Sequence, residues 1–232
     1  MRSPLDPLRP LAKDIWVAER PQTFYGLPVG TRMSVIRLSG GRLLLHSPVA
    51  LDAGLRAELD SLGRVRFVVA PNRVHHLYAG EVAKLYPEAR LWVAPGLERK
   101  RPDLAFVAVL GDEPPEEWRE EVQQTFFRGR PYENEVVFFH RTSRTLILCD
   151  LAFNFGPRAA APTRLLMKLL RSYGRFGPSK LDPLLIRDRD AARQSLERIL
   201  AWDFDRVVVA HGEVLESGGR EALREGYRWL LT

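Results

Sequence analysis

The chain has 232 residues, enough for one large domain or two small ones with a sizeable core. Hydrophobic residues make up 45% and charged residues 28%, which excludes wholesale disorder, and the formal charge of +6 permits an acidic partner without demanding one. The single cysteine, Cys149, excludes an internal disulfide and a cysteine-based zinc cluster, and no run approaches the ~20 apolar residues of a membrane span.

Met1 to Lys13 is polar and carries Pro4, Pro7 and Pro10, so it lacks the apolar core of a signal peptide, and a cytoplasmic protein is expected. Asp14 to Ala18 reads as a strand and Pro21 to Gly30 as a loop. Met33 to Leu38 and Arg42 to His46 flank Ser39-Gly40-Gly41, a hairpin signal, and Pro48 ends the second strand. Leucines at 55, 59 and 62 give Ala53 to Leu62 helical spacing, stopped by Gly63. Val65 to Ala70 is almost wholly apolar, as in a strand covered on both faces. Tyr78 to Tyr86 is helical in period, Arg90 to Ala94 is a short strand, and a poorly patterned middle holds Pro102, Pro114 and Pro115. Glu121 to Phe127, Glu135 to Phe139 and Thr145 to Leu148 form a second antiparallel region, with His140, in the turn between the last two, expected at the surface or an edge. Pro162 to Tyr173 is a helix candidate and Arg175 to Pro183 a loop. Asp190 to Trp202 is an amphipathic helix with Asp188 or Asp190 as its cap, Arg206 to Ala210 a buried strand, and Glu221 to Leu231 a last helix. No linker interrupts the chain, so residues 1–232 are read as one domain of α/β type.

Three apolar strands stop at polar residues able to meet in one crevice: Ala70 to His76, Leu146 to Asp150 and Val207 to Glu213. Histidine nitrogens with a carboxylate suit zinc, manganese or iron. Adjacent residues point apart unless the backbone turns sharply, so one of His75 and His76 is expected to face the crevice, and helix entry favours His76. Cys149, in an apolar strand, is read as core.

The runs "SRTLILCDLAFN" and "FDRVVVAHGEVL" resemble the second half of a metallo-β-lactamase-fold hydrolase. There one strand ends in Gly-Asp and a later one in Gly-His-Gly; here Asp150 follows Cys149, and His211 lies in Ala-His-Gly. More narrowly, "LLLHSP", "PNRVHHL", "ENEVVFFHRTSRTLILCD" and "VVVAHG" are similar to a branch known only as a domain of unknown function. The resemblance implies a four-layer αββα sandwich with a metal site at one edge. The superfamily's first motif, His-x-His-x-Asp-His, is broken here: with His76 as its last His, the other positions fall on Pro71, Arg73 and His75. With Gly80 as the glycine that follows the motif they fall on Asn72, Val74, His76 and Leu77, so neither register keeps more than one identical ligand. The turn that normally supplies a further His reads Arg128-Gly129-Arg130-Pro131, and arginine stays protonated. The usual two-metal site therefore cannot be assembled from the usual residues.

What remains implies at most one ion, of zinc, iron or manganese, or none. His76, Asp150 and His211 are the first ligand candidates, with His46 and His75 in reserve. Asp150 or Glu133 would orient or deprotonate a water attacking an ester, amide, thioester or phosphoester of a small molecule. The alternative is a metal-free descendant that binds a ligand or partner. Arg164, Lys168, Arg171 and Arg175 form a basic stripe beside Leu165, Leu166, Leu169 and Leu170. It reads first as a solvated face, and second as a contact for nucleic acid or an anionic surface.

Overall fold

A computed structural model describes residues 8–170 and 172–232. Two twisted sheets account for most of the strands. The first begins with β1 (Arg9–Ala12) and β2 (Ile15–Arg20). A small separate hairpin follows, β3 (Thr23–Phe24) and β4 (Leu27–Pro28), set in the stretch read from sequence as a loop. The sheet then continues through β5 (Thr31–Leu38), β6 (Arg42–His46), β7 (Arg64–Ala70), β8 (Arg90–Val93) and β9 (Ala108–Val109). Its order is β1-β2-β5-β6-β7-β8-β9, antiparallel up to β6 and parallel from β6 onward. The parallel connections are made by helices α1 (Ala53–Leu62) and α2 (Ala79–Leu85), and by the short α3 (Leu97–Lys100).

The second sheet holds β10 (Val122–Phe126), β11 (Val136–His140), β12 (Thr145–Ile147) and β13 (Arg206–Val208) in that order, with only β12 and β13 parallel. Between β12 and β13 the chain forms α4 (Ala161–Leu169), α5 (Asp182–Leu185) and α6 (Arg189–Leu200). After β13 it forms α7 (Gly219–Gly226) and α8 (Arg228–Leu231), a pair where the sequence suggested one helix. Asp188 caps α6, its carboxylate accepting from Ala191 N.

Alternation along the strands sorts the apolar residues into three strata, which is what makes four layers. Val35, Leu43, Leu45 and Val68 pack outward against Leu55 and Leu59 of α1 and Val82 of α2. Their neighbours Ile36, Leu44, Phe67 and Val69 face inward and meet Val136, Phe138, Ile147 and Val208 of the other sheet. Val137, Phe139, Leu146 and Val207 face away again, onto Leu196 and Ile199 of α6 and Tyr227. A strand buried on both faces reads as a continuous apolar run, as Val65 to Ala70 does. The poorly patterned middle supplies Trp118, whose ring wedges between the sheets, edge-on to Phe67 and Trp92 at 5.2 Å from each. One expectation fails: His140 is neither at the surface nor on an edge strand, since β11 is paired on both sides. It is the last residue of β11, 1% exposed, with Nδ1 2.7 Å from Ser143 Oγ.

Leu44 lies at the middle of the inner stratum and is fully buried. Leu44→Ala should destabilise the fold by about 2–5 kcal/mol, whereas Leu77→Ala, at an exposed position, should stay within about 0.5 kcal/mol of the parent. Denaturant melts of the two variants check this.

Candidate metal centre

Parallel strands bring their C-terminal ends to one edge, and here two parallel pairs, β6/β7 and β12/β13, supply the site. His46 ends β6 and Ser47 follows it, residues 71–76 follow β7, Cys149 and Asp150 follow β12, and His211 follows β13. His211 is held on a tight path. Gly212 has φ 94°, and a Cβ there would lie 2.2 Å from Asn154 O, so no larger residue fits without moving that backbone. Arg32, buried on β5, donates to the carbonyls of Val209 and Gly212 and pairs with Glu19 at 2.8 Å.

The turn after β7 is organised by Asn72, which is fully buried. Its side-chain oxygen accepts from Val74 N at 2.8 Å and from His75 N at 2.6 Å, an Asx turn that bends the chain sharply. Its amide nitrogen donates to Asp150 Oδ2 at 2.8 Å and to Glu135 Oε2 at 3.0 Å. Glu135 in turn accepts the backbone N–H groups of Cys149 and Asp150, each at 2.7 Å. The bend resolves the histidine pair. His75 enters the crevice, while His76 turns toward Arg101, whose Nη1 lies 3.2 Å from His76 Nδ1. The preference for His76 drawn from helix entry is corrected, because the Asx turn takes the chain round one residue earlier.

Three ligand-type groups converge. His75 Nε2 lies 3.5 Å from Asp150 Oδ2, His211 Nε2 lies 3.6 Å from Asp150 Oδ1, and the two Nε2 atoms are 3.2 Å apart. His211 Nδ1 is 2.7 Å from Gly30 O. A carbonyl only accepts, so Nδ1 carries a proton and the Nε2 side of the ring faces the crevice. His75 Nδ1 is 2.9 Å from Ser47 Oγ, which offers the same support, and Ser47 adopts φ 55° to provide it. Burial opposes ionisation of Asp150, yet His75 and His211 hold its carboxyl well below the usual range. Burial likewise opposes protonation of His75, and the charge and hydrogen bond of Asp150, with Glu135 behind, outweigh it and raise its pKa.

The other candidates sit elsewhere. His46 is inside the inter-sheet core, edge-on to Phe138 with ring centroids 4.9 Å apart, and its Nε2 has no hydrogen-bond partner among the described residues. Burial, then the positive charge of His75, lowers its pKa to about 3, so it is a neutral ring. Glu133 pairs with buried Arg130, Oε2 to Nε 3.0 Å, and is not among the converging groups. Arg130 also reaches Asp182 at 3.4 Å and donates to Asp150 O at 2.7 Å, so a permanent cation stands just behind the carboxylate. Tyr227 OH completes this cluster, 3.2 Å from Asp182 Oδ2 and 2.8 Å from Leu151 O. Arg128 takes no part: Asp112 grips it at 2.8 and 2.6 Å beside a cleft of about 500 Å³ that none of the three converging residues lines. Burial pushes the Cys149 thiol up, consistent with a core residue. Asn72, Glu135, Ser47 and Gly30 escaped the sequence because none is a ligand type in a ligand pattern. The one readable sign was Asn72 directly after a strand-ending Pro71, a common turn-starting position.

This arrangement defines the class. The structure superposes on a metallo-β-lactamase from Pontibacter korlensis with a TM-score of 0.63 at 11% identity, covering 93% of this chain and 95% of that one. It superposes on the metallo-β-lactamase FIM-1 from Pseudomonas aeruginosa in its mono-zinc form with a TM-score of 0.61 at 11% identity, covering 99% and 95%. The metal-soaked Flv1 flavodiiron core from Synechocystis sp. PCC6803 gives 0.67 at 14% identity, covering 96% of this chain and 60% of that one. The protein therefore has the metallo-β-lactamase fold, a mixed α/β sandwich. Within it, residues 12–98 match the family model of a domain of unknown function, DUF4336. A search of curated proteins gave no match. Among the described residues, no helix is long and apolar enough to cross a membrane.

Glu133 and Asp182 generate a pH dependence. Burial is the first cause for both, lifting Glu133 from 4.5 to about 7 and Asp182 from 3.8 to about 6. The unfolded chain releases these protons first, so from about pH 4 to 7 the folded state binds more of them and stability falls as pH rises. Glu133→Gln should flatten this decline in melting temperature measured across that range. An equally steep decline in the variant would assign it to other groups.

Proposed function

We propose that the protein is a hydrolase built around a single metal ion held by His75, Asp150 and His211. The spacing of these groups carries the proposal. Ligands at about 2.0–2.2 Å from a four-coordinate zinc stand roughly 3.3–3.6 Å apart. Here the two Nε2 atoms are 3.2 Å apart, His75 Nε2 is 3.5 Å from Asp150 Oδ2 and His211 Nε2 is 3.6 Å from Asp150 Oδ1, with one ligand atom from each residue lying within 4.8 Å of the others. Two imidazoles and one carboxylate, each oriented by a partner on its far side, form the donor set of a site with an open position. A divalent ion bound there would supply Lewis acidity and lower the pKa of a water toward neutrality.

The chain's own groups divide the remaining work. Gly30 and Ser47 hold the two rings in orientation, and Asn72 and Arg130 hold Asp150. Glu133, with a pKa of about 7, can take and return a proton near neutral pH, which is the property a general base needs. The substrate would be a small molecule with an ester, amide, thioester or phosphoester bond. The crystallised mono-zinc form of FIM-1 gives a single-ion precedent on this fold.

A second reading, a metal-free binding protein, draws on one observation. His75, Asp150 and His211 lie close enough to satisfy one another, so a proton could close the triad in place of an ion.

Elemental mass spectrometry of untagged protein purified without chelator separates the two. The hydrolase reading expects about one equivalent of zinc, iron or manganese. His75→Ala, Asp150→Ala or His211→Ala should each weaken binding by more than about 100-fold, since losing even a supporting partner costs about 10–100-fold. His76→Ala should keep the metal. Parent protein that is metal-free and cannot be reloaded would select the binding reading.

A further inference from the structure

The charge of this protein is unevenly placed. Between Leu151 and Leu181 there are six cationic residues and not one Asp or Glu, so the whole formal excess of +6 resides in this insertion and the rest of the chain is balanced. Arg164, Lys168, Arg175 and Lys180 belong to it, and none has a carboxylate within ion-pair distance among the described residues. Arg164 instead donates to the carbonyls of Pro157 and Ala159, at 3.1 and 3.3 Å, and Lys168 lies over the Tyr173 ring at 5.1 Å. Arg171, the other member of the stripe seen in the sequence, lies outside the described residues.

The helix in this insertion is also turned the wrong way for a helix that covers a sheet. α4 contains three leucines and a methionine, yet its only buried residue is Thr163. Leu165 is 63% exposed and Leu169 73%, one turn apart on one face. Leu181 and Leu184, around the start of α5, are exposed as well. A surface helix normally hides such a stripe against the core, and a solvated face would not carry it.

The insertion is rooted at the metal centre. Thr163 Oγ1 donates to Pro28 O at 2.8 Å, two residues before Gly30, whose carbonyl orients His211. At its start, Phe153 stacks on the His211 ring, centroids 6.0 Å apart at 17°.

We propose that α4 and its flanks dock this face on an anionic lipid bilayer, with Leu165 and Leu169 entering the acyl boundary and Arg164, Lys168 and Arg175 meeting lipid phosphates. Clustered cations alone would serve nucleic acid equally well, but exposed leucines interleaved with them fit an amphipathic helix lying in a membrane interface. The contact does not depend on a metal being bound.

The test is co-sedimentation of the intact protein with vesicles of phosphatidylcholine alone and with about 30% phosphatidylglycerol. Binding should require the anionic lipid and fall as salt is raised. Lys168→Ala should weaken it about fivefold, the loss expected for one cation near the surface. Leu165→Glu with Leu169→Glu should abolish it while leaving the circular dichroism spectrum unchanged, since both positions face solvent. No pelleting with anionic vesicles at low salt would overturn the proposal. So would pelleting that survives the leucine substitutions, or binding confined to duplex DNA, which would reassign the patch to nucleic acid. Because the readout is sedimentation, failure here leaves the metal-content experiment untouched.

Discussion

The buried amide of Asn72 sets the geometry on which the site depends. One side chain accepts two backbone N–H groups and donates to two carboxylates, using its hydrogen-bonding capacity in full. The accepting side bends the chain after β7 so that His75 faces the crevice. The donating side ties that bend to Asp150 on the other sheet. The amide thus links the turn of one sheet to the strand end of the other. Replacing it would leave Val74 N and His75 N without their acceptor, each costing about 1–3 kcal/mol, and would remove one donor each from Asp150 Oδ2 and Glu135 Oε2.

Charge balance follows from the same arrangement. Asp150, Glu135 and Glu133 are three acidic groups buried near one another, and unpaired buried charges are costly. Backbone N–H groups and Asn72 accommodate Glu135, and Arg130 lies against Glu133, Asp182 and the Asp150 carbonyl. The raised pKa values of Glu133 and Asp182 show that one guanidinium does not offset both acids fully. Arg130 lies in the turn that the resemblance read from the sequence would give a further histidine, and a fixed cation there accords with the proposed site for one ion rather than two.

Much of the sandwich was legible in the sequence because burial on both faces leaves a plain signal. Val65 to Ala70, Val136 to Phe139 and Val207 to Ala210 are apolar runs, and the helices between β6 and β7 and between β12 and β13 fit the parallel pairing of those two pairs. The short β3/β4 hairpin and the end of α4 were not legible, since both are exposed and carry little periodicity. At the site, Asp150 and His211 could be named because each ends such a run. The choice between His75 and His76 could not be made from spacing, because it turns on the His75 backbone N–H donating to the side chain of Asn72 three residues earlier. Glu135 was invisible for the same reason: its partners are backbone amides fourteen and fifteen residues on.

Diffraction from zinc-loaded crystals, collected on both sides of the zinc absorption edge, tests this account most directly. It predicts one anomalous peak within bonding distance of His75 Nε2, His211 Nε2 and an Asp150 carboxylate oxygen, with His76 still turned toward Arg101. A peak ligated by His76 or His46, or the three groups bonded to one another with no peak between them, would contradict it.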